Sequence, residues 1–258
     1  MEPVNRSFVP DPSLEREEME EMQRKIARKA VFEDDFDFSS DDQLTVVGID
    51  QAFLDVENSD SPGEENQRFS KAVSAAVVME NDEVVEKVHG VADLEIPYIP
   101  GLLAFREGEC IVNALEKLES DPDLLVLDGS GRIHFRQAGI ATHIGVIFDV
   151  PSIGVTKNLL CGELQAPVDE LEEGEKVEIY TDSEVENLDS GVIGHAFQSR
   201  QYENSRSINP LYVSPGHRVS CGTAVELVER FCEGYKLPEP TRRADNEVAE
   251  VKKEIQEN

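Results

Sequence analysis

The chain is short of basic residues. It has 24 Lys and Arg against 54 Asp and Glu, a formal net charge of -30 over 258 residues. That shortage argues against a protein that grips a polyanion through a broad basic face. Cysteine is also scarce. Cys110, Cys161, Cys221 and Cys232 are scattered and form no C-x-x-C pair, which disfavours a zinc site or a disulfide framework and fits a reducing cytoplasm. No apolar run approaches the length of a membrane span, and the start of the chain lacks the pattern of a signal peptide. A cytoplasmic protein with no membrane partner is therefore expected. Neither an internal repeat nor an inter-domain linker is visible. A single domain over 1–258 is expected, with a core at about 12–243, an acidic N-terminal tail and a charged C-terminal tail.

Apolar residues are present in sufficient number. At 39% of the chain they can build a core, so global disorder is excluded. The acids are spread over many segments, among them Glu15 to Glu21, Asp34 to Asp42, Asp60 to Glu65, Asp169 to Glu175 and Asp182 to Asp189. Acid distributed in this way resembles the surface of proteins from salt-loving organisms, where self-repulsion is screened and negative charge maintains solubility.

Hydrophobic periodicity predicts a surface helix over 11–30, with Leu14, Met19, Met22, Ile26 and Ala30 on one stripe. Residues 44–56 read as a buried strand carrying Asp50, and 58–67 as a polar loop. Residues 71–79 and 84–92 read as two further strands of an antiparallel meander. A helix is predicted from Gly108 to Leu118. The apolar run 124–127 reads as a buried strand delivering Asp128-Gly129. A helix around 141–148, a strand at 152–155 ahead of Lys157, an acidic insert over 162–176, and strands at 177–180, 191–197 and 211–213 follow. A helix over 223–234 precedes Leu237-Pro238-Glu239-Pro240, which is read as the end of the fold. The tail from Ala244 is read as charged and helical or frayed.

One stretch is unusual. In Pro97-Tyr98-Ile99-Pro100-Gly101, followed by Leu102 to Glu107, an aromatic ring sits between two prolines that hold it on a stiff, non-helical turn. Such a turn can press a ring outward into a partner, or it can be a surface loop with a buried Tyr98. Glu107 then stands where the next helix is expected to begin, on a rigid element that suits a metal ligand.

Asp50, Asp128 and Glu107 thus fall at the ends of regular elements, with no soft donor among them. Such a set suits Mg²⁺ or Mn²⁺. Any single Asp at a strand end is more often a cap or turn residue, so the signal lies in the combination. An antiparallel meander followed by alternating helices and parallel strands is the order of the ribonuclease H-like fold. The expected architecture is therefore α/β, a central mixed sheet flanked by helices. In that fold such carboxylates converge to hold ions for phosphodiester cleavage.

The motifs together resemble the endonuclease V family, nucleases that act on deaminated adenine in nucleic acid. The resemblance rests on Val47-Gly48-Ile49-Asp50, Pro97 to Gly101 with Phe105-Arg106-Glu107, Asp128-Gly129, Gly139 to Gly145, Pro151 to Lys157, and Val213 to Arg218. It covers roughly residues 12–243. It implies Asp50 and Asp128 as metal ligands, Glu107 as the third acidic catalytic residue at the metal, and Lys157 and His217 as catalytic groups near the scissile phosphate. It implies Tyr98, flanked by Pro97, Ile99 and Pro100, as a wedge that replaces a flipped base. Gly101, Leu103, Gly129, Gly139 and Ile140 would line the base pocket.

The implied activity is Mg²⁺-dependent hydrolysis of the second phosphodiester bond 3′ to deoxyinosine in DNA, leaving 3′-hydroxyl and 5′-phosphate, by a monomer, with Mn²⁺ able to substitute. An inosine-specific endoribonuclease and a non-catalytic lesion-binding protein are the alternatives. One departure is visible: where the family usually has Pro between His134 and Arg136, this chain has Phe135, which is expected to affect the loop near the pocket. His134 divides evenly between loop support and site contact. His89 and His195 are read as structural.

Overall fold

The structure, a computed structural model, describes residues 1–38, 43–55, 69–186, 191–202, 204 and 207–257. The predicted polar loop 58–67 lies outside them. Three long strands open the sheet: β1 (Thr45–Asp55), β2 (Phe69–Glu80) and β3 (Glu83–Asp93). Asn81 and Asp82 both adopt positive φ, 50° and 66°, the geometry of a tight two-residue hairpin between β2 and β3. Two short apolar strands, β4 (Leu124–Asp128) and β5 (Ser152–Thr156), run parallel to β1 and are buried on both faces. β6 (Glu163–Leu164), β7 (Lys176–Tyr180), β8 (Val192–Phe197) and β9 (Leu211–His217) add an antiparallel wing. The nine strands lie in the order β3-β2-β1-β4-β5-β9-β8-β7-β6, the mixed sheet that the sequence predicts.

Helices cover both faces because strand residues alternate between them. Val47, Ile49, Leu125 and Leu127 point to one side and pack against α2 (Leu103–Leu115) and α3 (Ile140–Phe148). Val46, Leu124 and Val126 point to the other side and meet α4 (Cys221–Phe231). Leu54, Val73 and Ala75 on that second side pack against α5 (Glu239–Glu257). The amphipathic α1 (Arg16–Lys29) lies outside α3, with Ile26 and Ala27 against Ala138 and Val146.

Two expectations change. α2 starts at Leu103, five residues before the predicted start. Leu103, Ala104 and Arg106 are good helix formers, and Gly108, read as a boundary, is instead a site of close packing where a Cβ would lie 2.7 Å from Pro10. Glu107 therefore sits inside the helix. The C-terminal segment is also no appendage. Ala244, Val248 and Val251 recur at helical spacing and are buried against β1 and β2, a stripe masked by the charges around it. β1 comes so close to the start of α5 that a Cβ on Gly48 would lie 1.9 Å from the Pro240 carbonyl oxygen. At the other end of the chain Pro3 and Pro10 are buried and the Met1 amino group donates to the Leu115 and Leu118 carbonyls at 3.1 and 2.8 Å.

If α5 belongs to the fold, trimming its buried stripe must cost stability. Val248→Ala should lower unfolding free energy by about 1–3 kcal/mol through lost burial and a residual cavity. A urea midpoint equal to that of the parent would show that α5 adds nothing to the core.

Candidate active site

Ile49 of β1 pairs with Leu127 of β4 in parallel register, and the next residue on each strand is Asp50 and Asp128. Neighbouring strands lie about 4.8 Å apart, so the two carboxylates leave the sheet side by side. β4 ends at Asp128, whereas β1 continues and still pairs with β2 at Asp50. Asp50 is 7% exposed, and its carboxylate accepts a hydrogen bond from the Gln51 amide at 2.7 Å. Its pKa is pushed up to about 8, first by burial and then by the negative charge of Asp128. Burial likewise raises Asp128, against the pull of Lys157, whose ammonium stands 3.9 Å away.

Glu107 reaches the same region from the second turn of α2. It is buried, and its pKa is pushed up to about 7 by burial, opposed by the neighbouring Arg106 and reinforced by Asp128. A fourth carboxylate escaped the sequence reading. Asp245, near the start of α5, hydrogen-bonds with Asp50, and its charge raises both Asp50 and Asp128. The signal available for it was the stripe Ala244, Val248 and Val251, which makes Asp245 part of a packed helix next to Asp50's face of the sheet.

Beside the carboxylates opens a cavity of about 370 Å³. Gly101, Leu103, Gly129, Gly139 and Ile140, all expected to line a pocket, line it, together with Tyr98, Asp128, His134 and Lys157. Tyr98 is 53% exposed, so the alternative of a buried ring is excluded. Its turn is anchored by Ile96 and Ile99, which pack on Met19, Leu102 and Phe105, while Pro97 and Pro100 stay exposed.

The Gly101 carbonyl fixes the turn to the body. It accepts from Gln23 Nε2 at 2.8 Å, His134 Nε2 at 3.0 Å and an Arg136 guanidinium nitrogen at 3.2 Å. Because His134 Nδ1 accepts from the Arg136 amide, the ring is the neutral Nε2–H tautomer, and burial holds its pKa near 3. His134 thus both supports the loop and lines the cavity. Gly101 has φ of +81°, where a side chain is strained, and a Cβ there would lie 2.8 Å from the Phe135 ring. Phe135, the residue that departs from the family pattern, packs against the Gly101 backbone on the side of the turn where that Cβ would point.

His217 does not join this group. It pairs with Ser152 at the start of β5, whereas Asp128 pairs with Val155 three residues further on. The His217 ring accepts from the Val31 amide at 3.1 Å and meets Asp149 at 3.1 Å. The expectation of a phosphate-side His217 is therefore corrected: β9 runs antiparallel to β5 and carries residue 217 away from the carboxylate rim. His89 is exposed on β3 and His195 lies on β8, neither at the cavity.

Among the described residues, no three Asp, Glu, His or Cys side chains already close around a metal ion. Mg²⁺ rarely needs such a cage: it keeps several waters and takes one or two carboxylates plus substrate oxygens. The hard-oxygen donor set, Asp50 and Asp128 side by side, and their raised pKa values fit an ion of that kind. Calcium and magnesium share this donor chemistry, and geometry separates them.

A mixed sheet of this order with carboxylates on its central parallel strands defines a ribonuclease H-like nuclease. The sequence profile of endonuclease V matches residues 24–246, and the chain belongs to that family. The endonuclease V of Haloarcula marismortui is 50% identical over 281 residues, covering 98% of each chain. That of Natronomonas pharaonis is 51% identical over 256 residues, again 98% of each. Ciona intestinalis endonuclease V, solved with a 24mer DNA containing an inosine followed by a ribo-adenosine, superposes with a TM-score of 0.70 at 25% identity, over 93% of this chain and 98% of that one.

The crowded carboxylates make a thermodynamic prediction. A carboxyl near 4 in the unfolded chain and near 8 in the fold favours folding of its protonated form. Its stability cost is absent below about pH 4 and grows as pH rises toward 8. Asp50→Asn should therefore raise the metal-free Tm at pH 8, by about 2–4 °C for each kcal/mol relieved, and have little effect at pH 4. A melt series showing an equal shift at both pH values would contradict the repulsion.

Proposed function

We propose that this nuclease recognises deoxyinosine in DNA and hydrolyses the second phosphodiester bond on its 3′ side, leaving 3′-hydroxyl and 5′-phosphate ends, with Mg²⁺ held by Asp50 and Asp128 and Mn²⁺ able to substitute. The observation that carries this reading is an exposed ring on a stiffened turn, Tyr98, at the mouth of a cavity that ends at Asp128. The inosine-containing DNA in the Ciona complex supports the lesion assignment. The intact carboxylates weigh against a protein that only binds.

Flipping a base costs a few kcal/mol of stacking and pairing, least at a mispair such as I·T. Tyr98 would fill the gap, and the cavity lined by Gly101, Gly129, Gly139 and Ile140 would hold the displaced base. Asp50 and Asp128 would hold a divalent ion, which would supply positive charge for orienting the attacking water and stabilising the departing 3′ oxygen. Glu107, near pKa 7, can carry a proton at working pH. Lys157 places an ammonium beside Asp128 where a phosphate must sit. Asp245 adds a further carboxylate to the ligand region.

Tyr98→Ala should weaken binding of an inosine duplex by about 1–3 kcal/mol, the range of a lost base–aromatic stack, with a smaller loss on single strands. Equal losses on both would make Tyr98 structural. Asp128→Ala should abolish nicking in Mg²⁺ while the fold survives. Matched inosine DNA and inosine RNA in one assay decide the sugar, and cleavage of RNA alone would replace the DNA reading.

The relatives from Haloarcula and Natronomonas support a salt-adapted reading of the -30 charge. At molar salt the Debye length is about 3 Å, so recognition must rest on contact. Discrimination for inosine should then persist at molar KCl, while folding stability falls at millimolar KCl as the acids repel. Full stability at low salt, with nicking lost at molar salt, would refute it.

A further inference from the structure

With acids outnumbering bases 54 to 24, a cation without a carboxylate partner stands out. Lys236, in the connection between α4 and α5, forms no ion pair among the described residues. Its carbonyl accepts from Ser199 Oγ at 2.6 Å, just past the end of β8. Strand register carries that point to the catalytic rim. Phe197 of β8 pairs with Leu211 of β9, Tyr212 of β9 with Thr156 of β5, and Val155 with Asp128.

Lys236 and Lys157 therefore occupy one rim of the sheet. Burial and then the Lys157 charge lower the Lys236 pKa, and Lys157 itself stands 3.9 Å from Asp128. Tyr235, next to Lys236 in sequence, is 52% exposed, and Tyr202, shortly after Ser199, is 50% exposed. Tyr235 also stacks on Arg242, 4.3 Å from ring centre to guanidinium carbon, and half its surface stays open.

We propose that Lys236, with Tyr235 and Tyr202, forms a docking track for the nucleic-acid strand beyond the cut site, with a backbone phosphate held between Lys236 and Lys157 and unpaired or frayed bases resting on the tyrosines. Cations interleaved with aromatic rings bind nucleic acid without regard to sequence. The inference rests on the nuclease reading above and extends it to a contact outside the lesion pocket.

The test uses the full chain and two duplexes of equal length, one with a single deoxyinosine and one lesion-free, over a KCl series. Lys236→Gln should weaken both by the same factor and make the slope of log affinity against log salt shallower by about 0.9, one phosphate contact. Lys236→Arg should restore both. Tyr202→Ala should weaken binding of a lesion-free single strand at least about fivefold. Matching thermal melts would show that the variants are folded. Unchanged affinity and slope in Lys236→Gln would overturn the track, as would a loss confined to the inosine duplex. If the parent protein does not prefer inosine at all, the lesion assignment fails, while the lesion-free duplex still decides the track.

Discussion

Two carboxylates set side by side on neighbouring parallel strands are the constraint to which the rest of the site answers. Asp50 and Asp128 cannot move apart, because β1 and β4 are paired up to the residue before each. Asp50 is buried, and Asp128 is only partly open to the cavity. Glu107 and Asp245 add to the same negative pocket. Lys157 and Arg106 offset part of it. What remains is a folded protein in which burial and mutual repulsion push the Asp50 and Glu107 carboxyls up to about 8 and about 7.

The Gly101 side of the cavity follows a different principle. Its rigidity comes from hydrogen bonds to backbone, with very little charge. Three side chains converge on the Gly101 carbonyl, and one of them, Arg136, is itself held by Gln23 Oε1 at 2.7 Å. Buried, mutually satisfied groups of this kind lose little on addition of salt. A pocket built from them suits a chain whose surface cannot attract nucleic acid from a distance.

Much of this was legible in the sequence, and the reasons differ from element to element. The meander, the buried strand before Asp128 and the proline-bracketed Tyr98 are local patterns, set by period and by proline geometry. The elements missed were those whose meaning is tertiary. Gly108 read as a helix boundary, yet it is a packing contact with Pro10. The charges of α5 hid three buried residues and with them Asp245. His217 sits in a motif shared with the family, but strand direction carries it to the far edge of β5. Spacing along the chain does not reveal which end of a strand a residue occupies until the pairing is known.

The Gly101 anchor has a consequence for the order of folding. The hydrogen bond from Gln23 joins residues 78 apart in the chain, and that between Arg136 and Gln23 joins residues 113 apart. Closing loops of that length is costly and slow until a core exists to hold the ends. The pairing of Ile49 with Leu127, which sets Asp50 beside Asp128, spans the same length of chain as the Gln23–Gly101 bond, so loop length alone puts neither the carboxylate pair nor the edge of the cavity first.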